Sequence, residues 1–119
     1  MFVSIIFLIS LLNLSSAQLV IKPSDSIVLR DQFKSFVASC TGQPNTRVAT
    51  WRSPLQTDIA EDDTASCRVT VERQTYGLRL RIRNLTRSDQ GMWECLGSDQ
   101  EGRPLSRTLQ INVKGRLIL

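Results

Sequence analysis

From Gln18 onward, apolar residues recur at every second position in short runs, and glycine, proline or polar breaks separate one run from the next. Helical spacing is absent. A chain patterned in this way folds into half-buried strands that pack as two antiparallel sheets, so an all-β sandwich is predicted. Leu19-Val20-Ile21 and Ile27-Val28-Leu29 flank Pro23, which reads as one edge strand broken in two, because proline is confined to sheet edges and bends. Phe36, Ala38 and Cys40 alternate with Ser35, Val37 and Ser39, giving a second strand that ends at the break from Gly42 to Asn45. On a third strand, Ala49 and Trp51 face inward while Thr50 and Arg52 face outward. The polar stretch from Gln56 to Ser66 is a connection with at most a short edge strand. Val69 and Val71, then Leu78, Leu80 and Ile82, mark two adjacent strands around a turn near Tyr76-Gly77. Gly91 to Leu96, with Trp93 and Cys95 inward, and Thr108 to Val113, with Leu109, Ile111 and Val113 inward, complete the pattern. A hairpin loop from Gly97 to Gly102 joins them.

Phe2 to Leu14 is uncharged and almost wholly apolar, and Ser15-Ser16-Ala17 supplies small residues suited to signal-peptidase cleavage. Residues 1–17 are therefore predicted to be a signal peptide and the mature chain to start at Gln18. An uncleaved anchor is the alternative, since no Lys or Arg precedes the run, but the run falls short of the roughly 20 apolar residues that span a bilayer. Residues 18–114 suit one domain and 115–119 a short tail, with no membrane span expected. All 15 Lys and Arg and all 11 Asp and Glu follow residue 17, for a net charge of +4. That mild excess favours acidic partners without forming the dense basic patch of a nucleic-acid binder.

The sequence has no histidine, which removes the usual general base and the commonest zinc ligand, and it has no phosphate-cradling glycine loop. No enzymatic activity, cofactor or metal is expected. Glu61-Asp62-Asp63 are adjacent acids rather than the spaced ligand set that calcium needs, so they read as a solvated loop.

Cys40 and Cys95 stand 55 positions apart, with Trp51 eleven residues after the first. The run from Leu80 to Cys95 fits the pattern L-x-I-x-x-L-x-x-x-D-x-G-x-Y-x-C at Leu80, Ile82, Leu85, Asp89, Gly91 and Cys95, and departs from it only at Trp93. On these residues the chain resembles the immunoglobulin superfamily, most closely its intermediate (I-set) or V-like domains. The segments Thr50 to Pro54 and Asp89 to Val113 are similar to the first domain of neural cell adhesion molecules and insect fasciclin-type adhesion proteins. Short secreted invertebrate proteins with such domains are similar too.

The resemblance implies an immunoglobulin-like two-sheet β-sandwich with a short or absent middle-edge hairpin, a Cys40–Cys95 bridge and a core built on Trp51, Trp93, Leu80 and Leu85. Closing about 56 residues, the bridge is worth roughly 4 kcal/mol in the chain-entropy model. It implies an ion pair between Arg68 and Asp89. Trp93 stands where the family has a tyrosine whose hydroxyl ties down the adjoining corner, and the expectation is that packing replaces that hydrogen bond. The function implied is extracellular recognition of another protein, homophilic or heterophilic, in adhesion, guidance or related signalling. The implied contact is the sheet of the third, sixth and seventh strands, or the loops at its ends; the outward residues of that sheet by alternation are Thr50, Arg52, Met92, Glu94, Leu96, Thr108 and Gln110.

Three features lie outside that pattern. Cys67 is left over, as a small buried hydrophobe, a free thiol or an intermolecular bridge. Arg79, Arg81 and Arg83 form an outward stripe, with Arg68 and Arg73 beside it, which is either a solvated face or a dock for a sulfated glycan or other acidic surface. Asn84-Leu85-Thr86 is a glycosylation sequon, whereas Asn13-Leu14-Ser15 falls in the leader. Besides protein and glycan recognition, a structural spacer within a longer receptor is the third function class.

Overall fold

The computed structural model describes residues 18–59, 61 and 68–115. The expected leader, Asp62, Asp63, Cys67 and tail residues 116–119 lie outside them. Among the described residues nine strands follow one another as β1 (Val20–Lys22), β2 (Ile27–Asp31), β3 (Phe36–Thr41), β4 (Arg47–Arg52), β5 (Asp58–Ile59), β6 (Val69–Gln74), β7 (Gly77–Ile82), β8 (Gly91–Ser98) and β9 (Pro104–Lys114). A 3-10 turn at Arg87–Asp89 precedes β8. The strands form a four-stranded sheet in the order β1-β3-β7-β6 and a five-stranded sheet in the order β2-β9-β8-β4-β5. This is an all-β sandwich.

The break at Pro23 moves the chain between sheets. β1 pairs antiparallel with β3, while β2 pairs parallel with β9 in the opposite sheet. Among the described residues after β4, the stretch contributes the two-residue edge strand β5 and an isolated bridge from Glu61 to Val71, in keeping with its polarity.

Alternation places one face of each sheet in a shared core. Phe36, Ala38 and Cys40 of β3 meet Leu78, Leu80 and Ile82 of β7 from one side, and Trp51, Trp93, Cys95, Leu109 and Ile111 close it from the other, all essentially without solvent exposure. Each large apolar side chain buried in this way contributes roughly 1.5–3 kcal/mol. The Cys40–Cys95 disulfide joins the sheets across a Cα separation of 6.6 Å. Beside it the Trp51 indole N–H donates to the Leu78 carbonyl at 3.2 Å, and Leu78 is the register partner of Cys40. The two strands run so close at this point that a Cβ on Gly77 would sit 1.9 Å from the Cys40 carbonyl oxygen. Only glycine fits there.

Three local expectations are corrected. Ala49 is exposed and Val48 is buried in its place, because a bulge between Val48 and Thr50 inserts an extra residue ahead of Trp51. The hairpin loop is shorter than Gly97 to Gly102: β8 runs through Ser98 and β9 starts at Pro104. Strand pairing Gly97↔Leu105 and Ser98↔Pro104 holds residues whose composition had marked them as loop.

The third concerns Trp93. Its indole N–H donates to the Asp89 carbonyl at 2.8 Å, so the corner keeps a side-chain hydrogen bond to the backbone upstream. The donor is an N–H in place of a phenolic O–H, and the ring is buried as well. Replacing Trp93 with Phe should cost about 1–3 kcal/mol in urea unfolding, since the buried Asp89 carbonyl loses its donor. A change below about 0.5 kcal/mol would show that packing alone holds the corner.

Candidate functional site

Where one face of the five-stranded sheet is buried, the other is fixed by the same register. Met92, Glu94 and Leu96 of β8 lie opposite Gln110, Thr108 and Ser106 of β9, and Thr50 and Arg52 of β4 lie opposite Leu96 and Glu94. The bulge falls before Thr50 and leaves these pairs in phase. The structure therefore brings Thr50, Arg52, Met92, Glu94, Leu96, Thr108 and Gln110 onto one outward surface.

Strand β2 extends that surface by two residues that sequence reasoning did not include. Ile27 lies opposite Gln110 and Leu29 opposite Asn112, both turned outward while Val28 between them is buried. Ile27 is 61% exposed, Leu29 59% and Met92 47%, so three large apolar side chains crowd one end of the face. The alternation in Ile27-Val28-Leu29 carried half the signal. Which sheet it joined, and beside which strand, was the missing half.

At the opposite end Leu96 stands among polar residues, and the charged ones there are paired. Arg52 Nε donates to Asp58 Oδ1 at 2.9 Å, and its guanidinium stands 3.9 Å from Glu94. At this end Arg52 is matched by two acids. At the tip of the β8–β9 hairpin, the Asp99 carboxylate accepts the amides of Glu101 at 2.9 Å and Arg103 at 2.8 Å, together with Arg103 Nε at 2.9 Å. These bonds, the Arg103 amide foremost, hold the Asp99 carboxyl below the usual carboxylate range. The loop is thereby braced. An aspartate ahead of Gln-Glu-Gly is a turn-forming signal that could have identified it.

Below the sheets, Arg68 makes a two-pronged contact with Asp89 at 2.7 and 2.9 Å. Asp89 also accepts the Thr86 amide at 2.8 Å, closing the turn that sets β8. Burial pushes the Asp89 carboxyl up, but Arg68 and the Thr86 amide together outweigh it and leave its pKa below the ordinary value. Asn84 sits just beyond β7, exposed, with φ of 51°.

Arg79, Arg81 and Arg83 project from the other sheet as an outward ladder, Arg79 held by Glu72. Arg68 and Arg73 do not join it. Arg68 turns under to Asp89, and Arg73 reaches the Val48 carbonyl at 3.1 Å and Glu61 at 2.9 Å. Glu61 is thus engaged by an arginine. Among the described residues no group of His, Cys, Asp and Glu could hold a metal ion, and no helix is long and apolar enough to cross a membrane.

No protein-family model matches the sequence, and no curated protein does. Solved structures do match in shape. Dpr1 IG1, crystallised bound to DIP-eta IG1, superposes with a TM-score of 0.63 at 16% identity over 83% of this chain and 96% of that one. The Ig1 domain of mouse SynCAM 2 gives 0.60 at 17% identity over 78% and 93%. The M1 domain from titin gives 0.62 at 14% identity over 83% and 95%. At such identities the shared property is the architecture, and together with the bridged Cys40–Cys95 pair and the buried Trp51 it establishes that this chain carries an immunoglobulin-fold domain.

Proposed function

We propose that this domain is an extracellular protein-recognition module whose contact surface is the outward face of the five-stranded sheet. The observation that carries the reading is the exposure of Ile27, Leu29 and Met92 together on a face that also bears Leu96 and whose Arg52 is paired with Asp58 and Glu94. An apolar cluster rimmed by polar and paired charged groups is what a specific protein contact buries. Dpr1 IG1 and DIP-eta IG1, bound to each other, show that domains of this shape can bind another of the same kind. The chemistry of the chain favours binding over catalysis, since no histidine is present. The proposal includes export directed by residues 1–17, glycosylation at Asn84, and an adhesion, guidance or signalling role.

The test is a binding array of extracellular immunoglobulin-type domains that includes this chain itself, probed with the secreted wild type, Leu96→Arg and Met92→Arg. A partner should bind the wild type and lose affinity about 30-fold or more with either variant, because a charge is then desolvated without a mate. Melting temperatures should stay near that of the wild type, as both side chains face outward. Unchanged binding by both folded variants would move the contact elsewhere, and an array with no partner at all favours the spacer role.

A further inference from the structure

The two outer faces of the sandwich differ in charge. On the four-stranded sheet, Lys22 of β1, Arg79 and Arg81 of β7, and Arg83 just past β7 turn outward, against one acid among the described residues there, Glu72 of β6. Among the described residues the outward side chains of this sheet thus carry more bases than acids, whereas Arg52 on the other sheet is matched by Asp58 and Glu94. Arg68, at the same end, is offset by Asp89.

Register turns these residues into a lattice. Lys22, Ser39, Arg79 and Glu72 lie in one row across the sheet, and Val37, Arg81 and Thr70 in the next. Alternate residues along a strand are about 6.7 Å apart, so Arg79 to Arg83 extends about 13 Å, and Lys22 stands two strands away at about 10 Å. The outward positions between the cations are Val20, Val37, Ser39, Thr41 and Thr70. None is aromatic, so the face offers no platform on which nucleic-acid bases could stack. Cations at these intervals, with no aromatic side chain between them, match anionic groups repeated along a sugar chain.

We propose that the outer face of the four-stranded sheet binds a sulfated polysaccharide through Lys22, Arg79, Arg81 and Arg83. This surface is separate from the recognition face, and the inference stands or falls independently of it. Glu72 restrains the site: the hydrogen bond from Arg79, with the fields of Arg79, Arg81 and Arg83 behind it, lowers the pKa of its carboxyl.

The experiment titrates the secreted full chain with a heparin-derived decasaccharide at several salt concentrations, with a desulfated decasaccharide and a ten-nucleotide oligothymidine as comparison ligands. Replacing Lys22, Arg81 and Arg83 by Gln together should weaken binding of the sulfated chain at least about tenfold and flatten its salt dependence, since fewer counterions are released. Removing three exposed bases elsewhere, Arg47, Arg107 and Lys114, should change it less than about threefold. Glu72→Gln should strengthen binding about threefold, a gain that misfolding cannot produce. Equal losses for the two triple variants, equal affinity for the desulfated chain, or tighter binding of the oligonucleotide would each overturn the proposal. So would Glu72→Gln without a gain.

Discussion

Trp51→Ala should prevent the chain from being secreted in folded form. The indole is fully buried between the sheets against the Cys40–Cys95 bridge, and its N–H holds the Leu78 carbonyl. Truncating a large buried aromatic costs about 3–5 kcal/mol, and the orphaned carbonyl adds about 1–3. Small domains are stable by only about 5–15 kcal/mol, so the loss approaches or exceeds the whole of it. Arg81→Ala, on the outer face of β7, should change stability by less than about 0.5 kcal/mol. Secretion yield and urea midpoint measured on both variants check this. Equal effects would mean the strand faces are assigned the wrong way round.

Asp89→Ala should give the next largest loss. The Asp89 side chain is 4% exposed, and its removal releases the Arg68 guanidinium and the Thr86 amide together. Breaking a buried pair costs about 3–5 kcal/mol, but Arg68 is 40% exposed and regains water, so about 2–3 is expected. For a domain of this size that corresponds to a melting temperature lower by roughly 10–20 °C. Acid should reproduce part of the effect. The Asp89 carboxyl lies below its unfolded value of 3.8, so its contribution is complete above that pH and is lost as pH falls through the folded value. Between pH 7 and 5 the melting temperature of the wild type should not change on this account, and below about pH 4 the gap between wild type and Asp89→Ala should narrow. A gap that stays constant down to pH 2 would remove the ion pair as its cause.

Both sites are legible in the linear chain. The positions of Cys40, Trp51 and Cys95, and the run ending in Asp89, Gly91 and Cys95, mark the fold because each answers a demand local to a strand or a corner: one inward position, one turn, one capped amide. Alternation likewise assigned Met92, Glu94 and Leu96 to one face, since side-chain parity along a strand is a property of the backbone alone. Trp93 was misjudged for the opposite reason. Whether an indole N–H meets an acceptor depends on where the chain four residues earlier has been folded, and the Asp89 carbonyl is brought there by the 3-10 turn.

Period-two patterning determined that this chain is a sandwich, which side chains fill its core and which turn outward, because burial of one face per strand is the main energetic demand on each segment. Tertiary structure decided what stands beside what. Ile27 and Leu29 join Met92 only because β2 crosses to the second sheet and runs parallel to β9. Lys22 comes into line with Arg79 only because β1 and β7 both pair with β3. Ala49 faces solvent because a bulge shifts one register. Lateral pairing depends on contacts between residues far apart in the chain, and alternation within a strand holds no record of its neighbours.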